Sequence, residues 1–201
     1  MIGTDRVLSL PAVVKYFYLP GGIADKFGVG LEGVGTFGTS SPNNPNGCHI
    51  CEVEIDIETG ATTVEKFTVV DDAGRVINPL LCEGQIHGGV AQGIGQALME
   101  HVIYDRDSGQ NLTASFMDYA LPKARHLPNF VAGLEEVACK TNPLGVKGIG
   151  EAGAIGAPAA VMNAILDALR ELGVEHLDLP ATPMRVWEAI QRARSGARGT
   201  S

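Results

Sequence analysis

Aromatic side chains are scarce in this sequence, at 5% of 201 residues with one tryptophan, Trp187. That scarcity argues against an aromatic binding platform. The 26 glycines beside it point to close backbone packing instead. Basic residues are a minority too, 15 Lys and Arg against 23 Asp and Glu, for a formal net charge of −8 and a pI near 5.1. Such a field repels phosphate and argues against nucleic-acid or anionic-membrane partners. Cysteine appears four times, at Cys48, Cys51, Cys82 and Cys139. A secreted disulfide scaffold of this length would need more, so we read a cytoplasmic protein with reduced thiols. No apolar run has the length expected of a membrane span. The first residues carry Asp5 early and lack a signal-peptide core.

Against those absences stands an ordinary globular balance, 45% hydrophobic and 19% charged, with length enough to bury a core. Residues 1–47 read as a loop-rich segment holding one short helix, with Ser9 as N-cap and Pro11 in its first turn. Pro20-Gly21-Gly22 would stop that helix, and a short strand is expected near Thr36-Phe37. From Cys51 apolar and acidic residues alternate: 51, 53, 55 and 57 face one way, 52, 54 and 56 the other. Period two predicts a half-buried strand, turned by Glu58-Thr59-Gly60 onto a partner at 62–70. Asn78-Pro79 reads as the cap and first turn of a helix running to Glu100. It contains Gly84, Gly88, Gly89, Gly93 and Gly95, each costing about 1 kcal/mol relative to alanine in a helix interior. Another helix, or a large flat ligand, is therefore expected against that face. A second hairpin is expected about Asp105 to Gly109, and a strand from Phe130 toward Cys139. A helix opening at Ala157-Pro158 carries the stripe Val161, Met162, Ile165, Leu166, Leu169 and Leu172, with Gly173 as its stop. A last helix from Met184 to Arg194 turns Val186, Trp187 and Ile190 inward, before a disordered tail at 195–201. Strands and helices do not alternate strictly, which makes the fold α+β: hairpins and a mixed sheet packed with the Gly-rich helix and two C-terminal helices.

The stretch with most chemistry is Asn142-Pro143-Leu144-Gly145-Val146-Lys147-Gly148-Ile149-Gly150-Glu151-Ala152-Gly153. A lone carboxylate, Glu151, stands in a glycine run whose N–H groups are free to meet a ligand. Residues 148–153 also spell G-x-G-x-x-G, the turn of an NAD(P)-dependent dehydrogenase. A dinucleotide turn follows a strand directly and opens its helix within the motif, whereas here the helical periodicity starts near Pro158. An acid inside the turn would also repel pyrophosphate, and Gly28 to Gly33 spells the same pattern. The nicotinamide reading is thus the weaker alternative. Cys48 and Cys51, three apart on a strand, point to opposite faces and read as buried structural thiols. His87 reads as structural and Asp118-Tyr119 as a turn. Gln85 offers a donor and an acceptor beside the glycine face, suited to the amide-like edge of a heterocycle.

Together, Gly84-Gln85-Ile86-His87-Gly88-Gly89-Val90-Ala91-Gln92-Gly93-Ile94-Gly95-Gln96 and the 142–153 run resemble the molybdenum hydroxylases. That family comprises xanthine dehydrogenase, aldehyde oxidase and the large subunit of aerobic carbon-monoxide dehydrogenase, and the wording looks closest to the last branch. The resemblance extends from Phe37 to the last helix and implies a molybdopterin-binding domain over 48–194. It implies that Glu151 is the general base, that Gln85 contacts the pterin, and that Lys147, Gly148, Ile149 and Gly150 line the cofactor with their backbone N–H groups. No side chain is expected to ligate the metal. The cofactor would be of the molybdopterin cytosine dinucleotide type, with Fe–S clusters and FAD on partner chains. The reaction would oxidise an aldehyde, an N-heterocycle or a CO-like substrate with oxygen drawn from water. Catalytic subunits of the family are several times longer, so the sequence is expected to be a fragment, a truncated product or half of a split subunit. Its partners would be the N-terminal half, an Fe–S subunit, a flavin subunit and the small-molecule substrate. The remaining alternative is an inactive fragment serving as an interaction module.

Overall fold

The computed structural model describes residues 5, 7–19, 28–39 and 41–197, with side chains through 195. The chain divides into two units, Met1–Thr39 and Ser40–Ser201. In the first, helix α1 (Leu10–Tyr18) starts where Ser9 accepts from the Ala12 N–H, with Pro11 in its first turn. The Pro20-Gly22 stop lies outside the described residues. The strand expected near Thr36-Phe37 does not form, since residues 32–39 have no regular structure and Phe37 is exposed.

The second unit is built on β1 (Asn46–Ile55), β2 (Thr62–Asp72) and β3 (Phe130–Glu135), in the order β1-β2-β3. The β1–β2 hairpin is antiparallel and β3 joins β2 in parallel, giving a mixed sheet in an α+β fold. The alternation predicted for β1 is present, with Cys51, Val53 and Ile55 turned toward the core. Gly60, at φ +74°, makes the hairpin turn, and a Cβ there would stand 2.7 Å from the Trp187 backbone nitrogen.

Helix α2 (Pro79–Leu98) begins as its sequence dictates, the Asn78 side chain accepting from the Leu81 N–H at 3.3 Å. Four of its five glycines divide into two groups, while Gly95 is packed against Glu100 and Pro122. A Cβ on Gly89 would stand 2.8 Å from the Ala154 nitrogen, and one on Gly93 2.6 Å from the Ala157 Cβ. Reciprocally, a Cβ on Gly153 would meet the Ile86 oxygen at 2.7 Å. These positions let α2 meet α3 (Ala152–Leu169) backbone to backbone. Gly84 and Gly88 have nothing within 4 Å of a built Cβ and are exposed.

The start of α3 corrects the sequence reading. The helix opens at Ala152, and Pro158 lies inside it. The residues from Ala152 to Ala157, small except for the exposed Ile155, carry no apolar stripe, but close packing on Gly89 holds their backbone helical. Contrary to the expectation that no apolar run has the length of a membrane span, the segment Ala152–Leu172 is long and apolar enough to cross one by length and composition, with a mean hydropathy of 1.4. Here it is a core helix, with Val161, Ile165 and Leu169 buried against Phe67 and Val69 of β2 and Ile86, Val90 and Ile94 of α2.

Helix α4 (Pro183–Ala197) closes the core with Val186, Ala189 and Ile190. Trp187 is not inward as expected: it is 39% exposed, on the flank over the hairpin turn. The helix also reaches into the tail read as disordered, of which residues 198–201 lie outside the described set. The second hairpin is reduced to one bridge, Tyr104 to Asn111, and Val102 and Ile103 beside it are exposed.

Candidate functional site

The glycine run around Glu151 has a pinned half and an open half. In the pinned half, the Asn142 side chain both donates to the Val146 carbonyl and accepts from its N–H. The Gly145 carbonyl accepts from Arg75 and Cys139, and the Lys147 N–H donates to the Ala73 carbonyl at 2.9 Å. Gly145 and Gly74, both at positive φ, allow this close crossing. In the open half, the N–H groups of Gly148, Ile149 and Gly150 donate to no described residue. Of the four residues expected to line a ligand with backbone N–H groups, Lys147 is therefore placed differently, its amide being already taken.

The Lys147 side chain turns inward as well, where its ammonium donates to Asp72 Oδ2. Asp72 Oδ1 accepts from Gly74 at 2.8 Å and from Val137 at 3.1 Å. Burial would raise the proton affinity of Asp72. The Lys147 hydrogen bond and the two backbone donors outweigh it and hold the carboxyl below the usual carboxylate range.

Glu151 is the N-cap of α3, exposed, and its side chain makes no capping bond. Gln85 stands across from the run, its Oε1 3.6 Å from where a Cβ on Gly150 would lie. Residues 65 positions apart thus meet with almost no side-chain bulk between them. Beside them Glu151, Gly148 and Gly150 line a cleft of about 560 Å³ whose other wall includes Asn43, Asn46 and Gly47.

The floor of that cleft holds a pair missed in the sequence. His49 Nε2 lies 3.2 Å from Asp71 Oδ1, with side chains 7% and 2% exposed. The imidazole stands edge-on to Phe67 and presses on Gly156, where a Cβ would come within 2.7 Å of the ring. The signal was available: the inward parity of Cys51 and Val53 extends back to His49, and that of Phe67 and Val69 forward to Asp71.

The remaining candidates fall away from this cleft. Cys48 is exposed, contrary to the expectation of two buried thiols, whereas burial and the neighbouring Glu52 push Cys51 up to about 11. His87 packs edge-on to Phe130 at 5.5 Å. Tyr119 donates to Glu100 at 2.6 Å, and Asp118 accepts from Ser115, in a turn. The G-x-G-x-x-G spelling does open a helix, which removes one objection to a dinucleotide turn. The others stand, because a hydrogen-bonded loop rather than a strand precedes it and the sheet is not doubly wound.

Residues 4–128 match the model of the molybdopterin cofactor-binding domain, and the chain belongs to that family. Among its relatives is the nicotine 6-hydroxylase large subunit of Paenarthrobacter nicotinovorans, 46% identical over 82% of this chain and 20% of that one. The crystal structure of quinoline 2-oxidoreductase from Pseudomonas putida 86 superposes with a TM-score of 0.71 at 47% identity, over 73% of this chain and 19% of that one. Carbon monoxide dehydrogenase from Oligotropha carboxidovorans superposes at 0.72 with 34% identity, over 76% and 19%. The chain therefore spans about a fifth of the length of these relatives. The family match ends before Glu151.

Proposed function

We propose that this chain supplies one wall of the molybdopterin site in a hydroxylase assembly, with Glu151 as general base. The observation that carries the reading is the meeting of Gln85 with the open half of the glycine run. The residues present fit such a group. Gly84 and Gly88 leave a helix face without side chains, and Gln85 offers an amide edge beside it. Gly148, Ile149 and Gly150 present three unused N–H donors to an anionic ligand.

Bound molybdopterin would supply two-electron redox chemistry and oxygen transfer from water to carbon. In the net reaction a C–H carbon gains a hydroxyl, and two protons and two electrons are released. The part of this chain is to take up one of those protons at the Glu151 carboxylate, which no ion pair holds among the described residues. General-base catalysis of this kind contributes about 10²- to 10⁴-fold. Gln85 would orient the heterocycle of the cofactor through its amide.

For the substrate we favour an N-heteroaromatic ring, since identity is higher to the nicotine and quinoline enzymes than to carbon monoxide dehydrogenase. The cytosine dinucleotide form of the cofactor, an N-terminal half forming the facing wall, and partner chains bearing Fe–S clusters and FAD complete the proposal. They would supply the cofactor contacts beyond this wall and a route for electrons.

The test is to isolate the chain from its native host with whatever accompanies it. Molybdenum and pterin should co-elute with it in a larger assembly, and quinoline oxidised in ¹⁸O-labelled water should carry the label. A lone chain without metal or pterin would overturn the proposal.

A further inference from the structure

The run that carries Glu151 is held at two ends, and its N–H groups between them donate to no described residue. Downstream, Gly153 is seated on the backbone of α2 at Ile86 and Val90. Between the ends, Gly148 and Gly150 are exposed and the three intervening N–H groups bind nothing among the described residues. Only the partly buried Ile149 side chain touches the core there. Glycine gives such a segment wide conformational freedom, so the anchors decide where Glu151 stands.

The upstream anchor is Lys147, and its partner is Asp72. Side-chain exposures of 13% and 6% make this a buried ion pair. One carboxylate thereby ties together the end of β2 through Gly74, the segment after β3 through Val137, and the glycine run through Lys147. The backbone of Lys147 is fixed to the same strand end by its bond to Ala73. The hydrogen bonds of the Lys147 N–H and of its ammonium both go to the end of β2 and not to the open half of the run.

We infer that Asp72, acting through Lys147, is a positioning residue for Glu151: the pair sets the direction in which Gly148, Ile149 and Gly150 leave the sheet, and so the place of the carboxylate. Lys147 is on this account an anchor of the site and not a contact to its ligand. The inference rests on the reading of Glu151 as base.

Three variants of the full chain test it. Lys147→Arg keeps the cation. Lys147→Met removes it, leaving Asp72 buried without its counter-charge, which is strongly destabilising. Should that variant fail to fold, Asp72→Asn combined with Lys147→Met removes both charges and keeps the Oδ1 acceptor for Gly74 and Val137. The readout is the ¹⁵N order parameter at Gly148 and Gly150, with Gly133 on β3 as internal reference. Wild type and Lys147→Arg should give about 0.85 at all three positions. The double variant should stay near 0.85 at Gly133 and fall below about 0.6 at Gly148 and Gly150. A folded double variant with unchanged values at Gly148 and Gly150 overturns the inference. In the assembled enzyme, the double variant should lose roughly 100-fold in kcat with KM and molybdenum content unchanged. Full kcat in the double variant, where Glu151→Gln is inactive, also overturns it. Full kcat in Glu151→Gln itself locates the failure in the base assignment, and the order parameters then still decide the anchor.

Discussion

Gln85 Oε1 lies 3.6 Å from where a Cβ on Gly150 would stand, so a residue on α2 and one on the glycine run share a single surface. The amide is exposed and has no hydrogen bond to a described residue, which leaves both its donor and its acceptor for a ligand. Replacing it by leucine removes both at nearly constant volume. We predict that Gln85→Leu weakens pterin retention by about tenfold, the worth of one net hydrogen bond. Pterin and molybdenum content after prolonged dialysis would check this, with the unfolding midpoint of the free chain unchanged.

The two groups of glycines on α2 predict opposite responses to alanine. Gly89→Ala and Gly93→Ala place a methyl group within 2.8 Å and 2.6 Å of α3 atoms, and overpacking of this kind costs about 1–3 kcal/mol. Gly84→Ala and Gly88→Ala meet nothing within 4 Å and should stabilise the chain by about 0.4–1 kcal/mol through helix propensity. Urea unfolding of the four variants separates these outcomes. If the open pair bounds the cofactor face, the same two substitutions should lower molybdenum content in the assembly although the chain is more stable.

Asp72 predicts an acid limb of stability. Its carboxyl is held below its ordinary value in the folded chain, so the folded state binds the proton less readily than the unfolded one. The contribution is complete above the unfolded value, about 3.9, and is lost as pH falls through the lower folded value. Unfolding midpoints of the wild type should therefore fall more steeply below about pH 4 than those of Asp72→Asn with Lys147→Met. Equal slopes would mean that the pair does not carry charge in the folded chain.

The sequence disclosed what local chemistry writes. The alternation from Cys51 marked the first strand as far as Ile55, Ile57 lying exposed in the turn, and Asn78-Pro79 marked the start of α2 to the residue. It did not disclose what depends on distant partners. Ala152 to Ala157 is helical because Gly89 and Gly93 receive it, and no periodicity in those small residues announces that contact. Lys147 reads locally as a charge among ligand-facing glycines, whereas Asp72, 75 positions earlier, decides where it points. Trp187 reads as core by spacing, yet the hairpin turn at Gly60 gives it a shallow seat on the flank. The candidate site was legible as two motifs, and their meeting at Gln85 and Gly150 belongs to the fold.

The central claim, that Glu151 is the proton acceptor on this wall of the site, is tested most directly by Glu151→Gln in the assembled enzyme, with turnover and molybdenum content measured on the same preparation. The substitution keeps size and removes the base. We expect turnover to fall by about 10²- to 10⁴-fold while molybdenum and pterin stay at wild-type levels. Turnover at the wild-type rate with the metal in place would contradict the account.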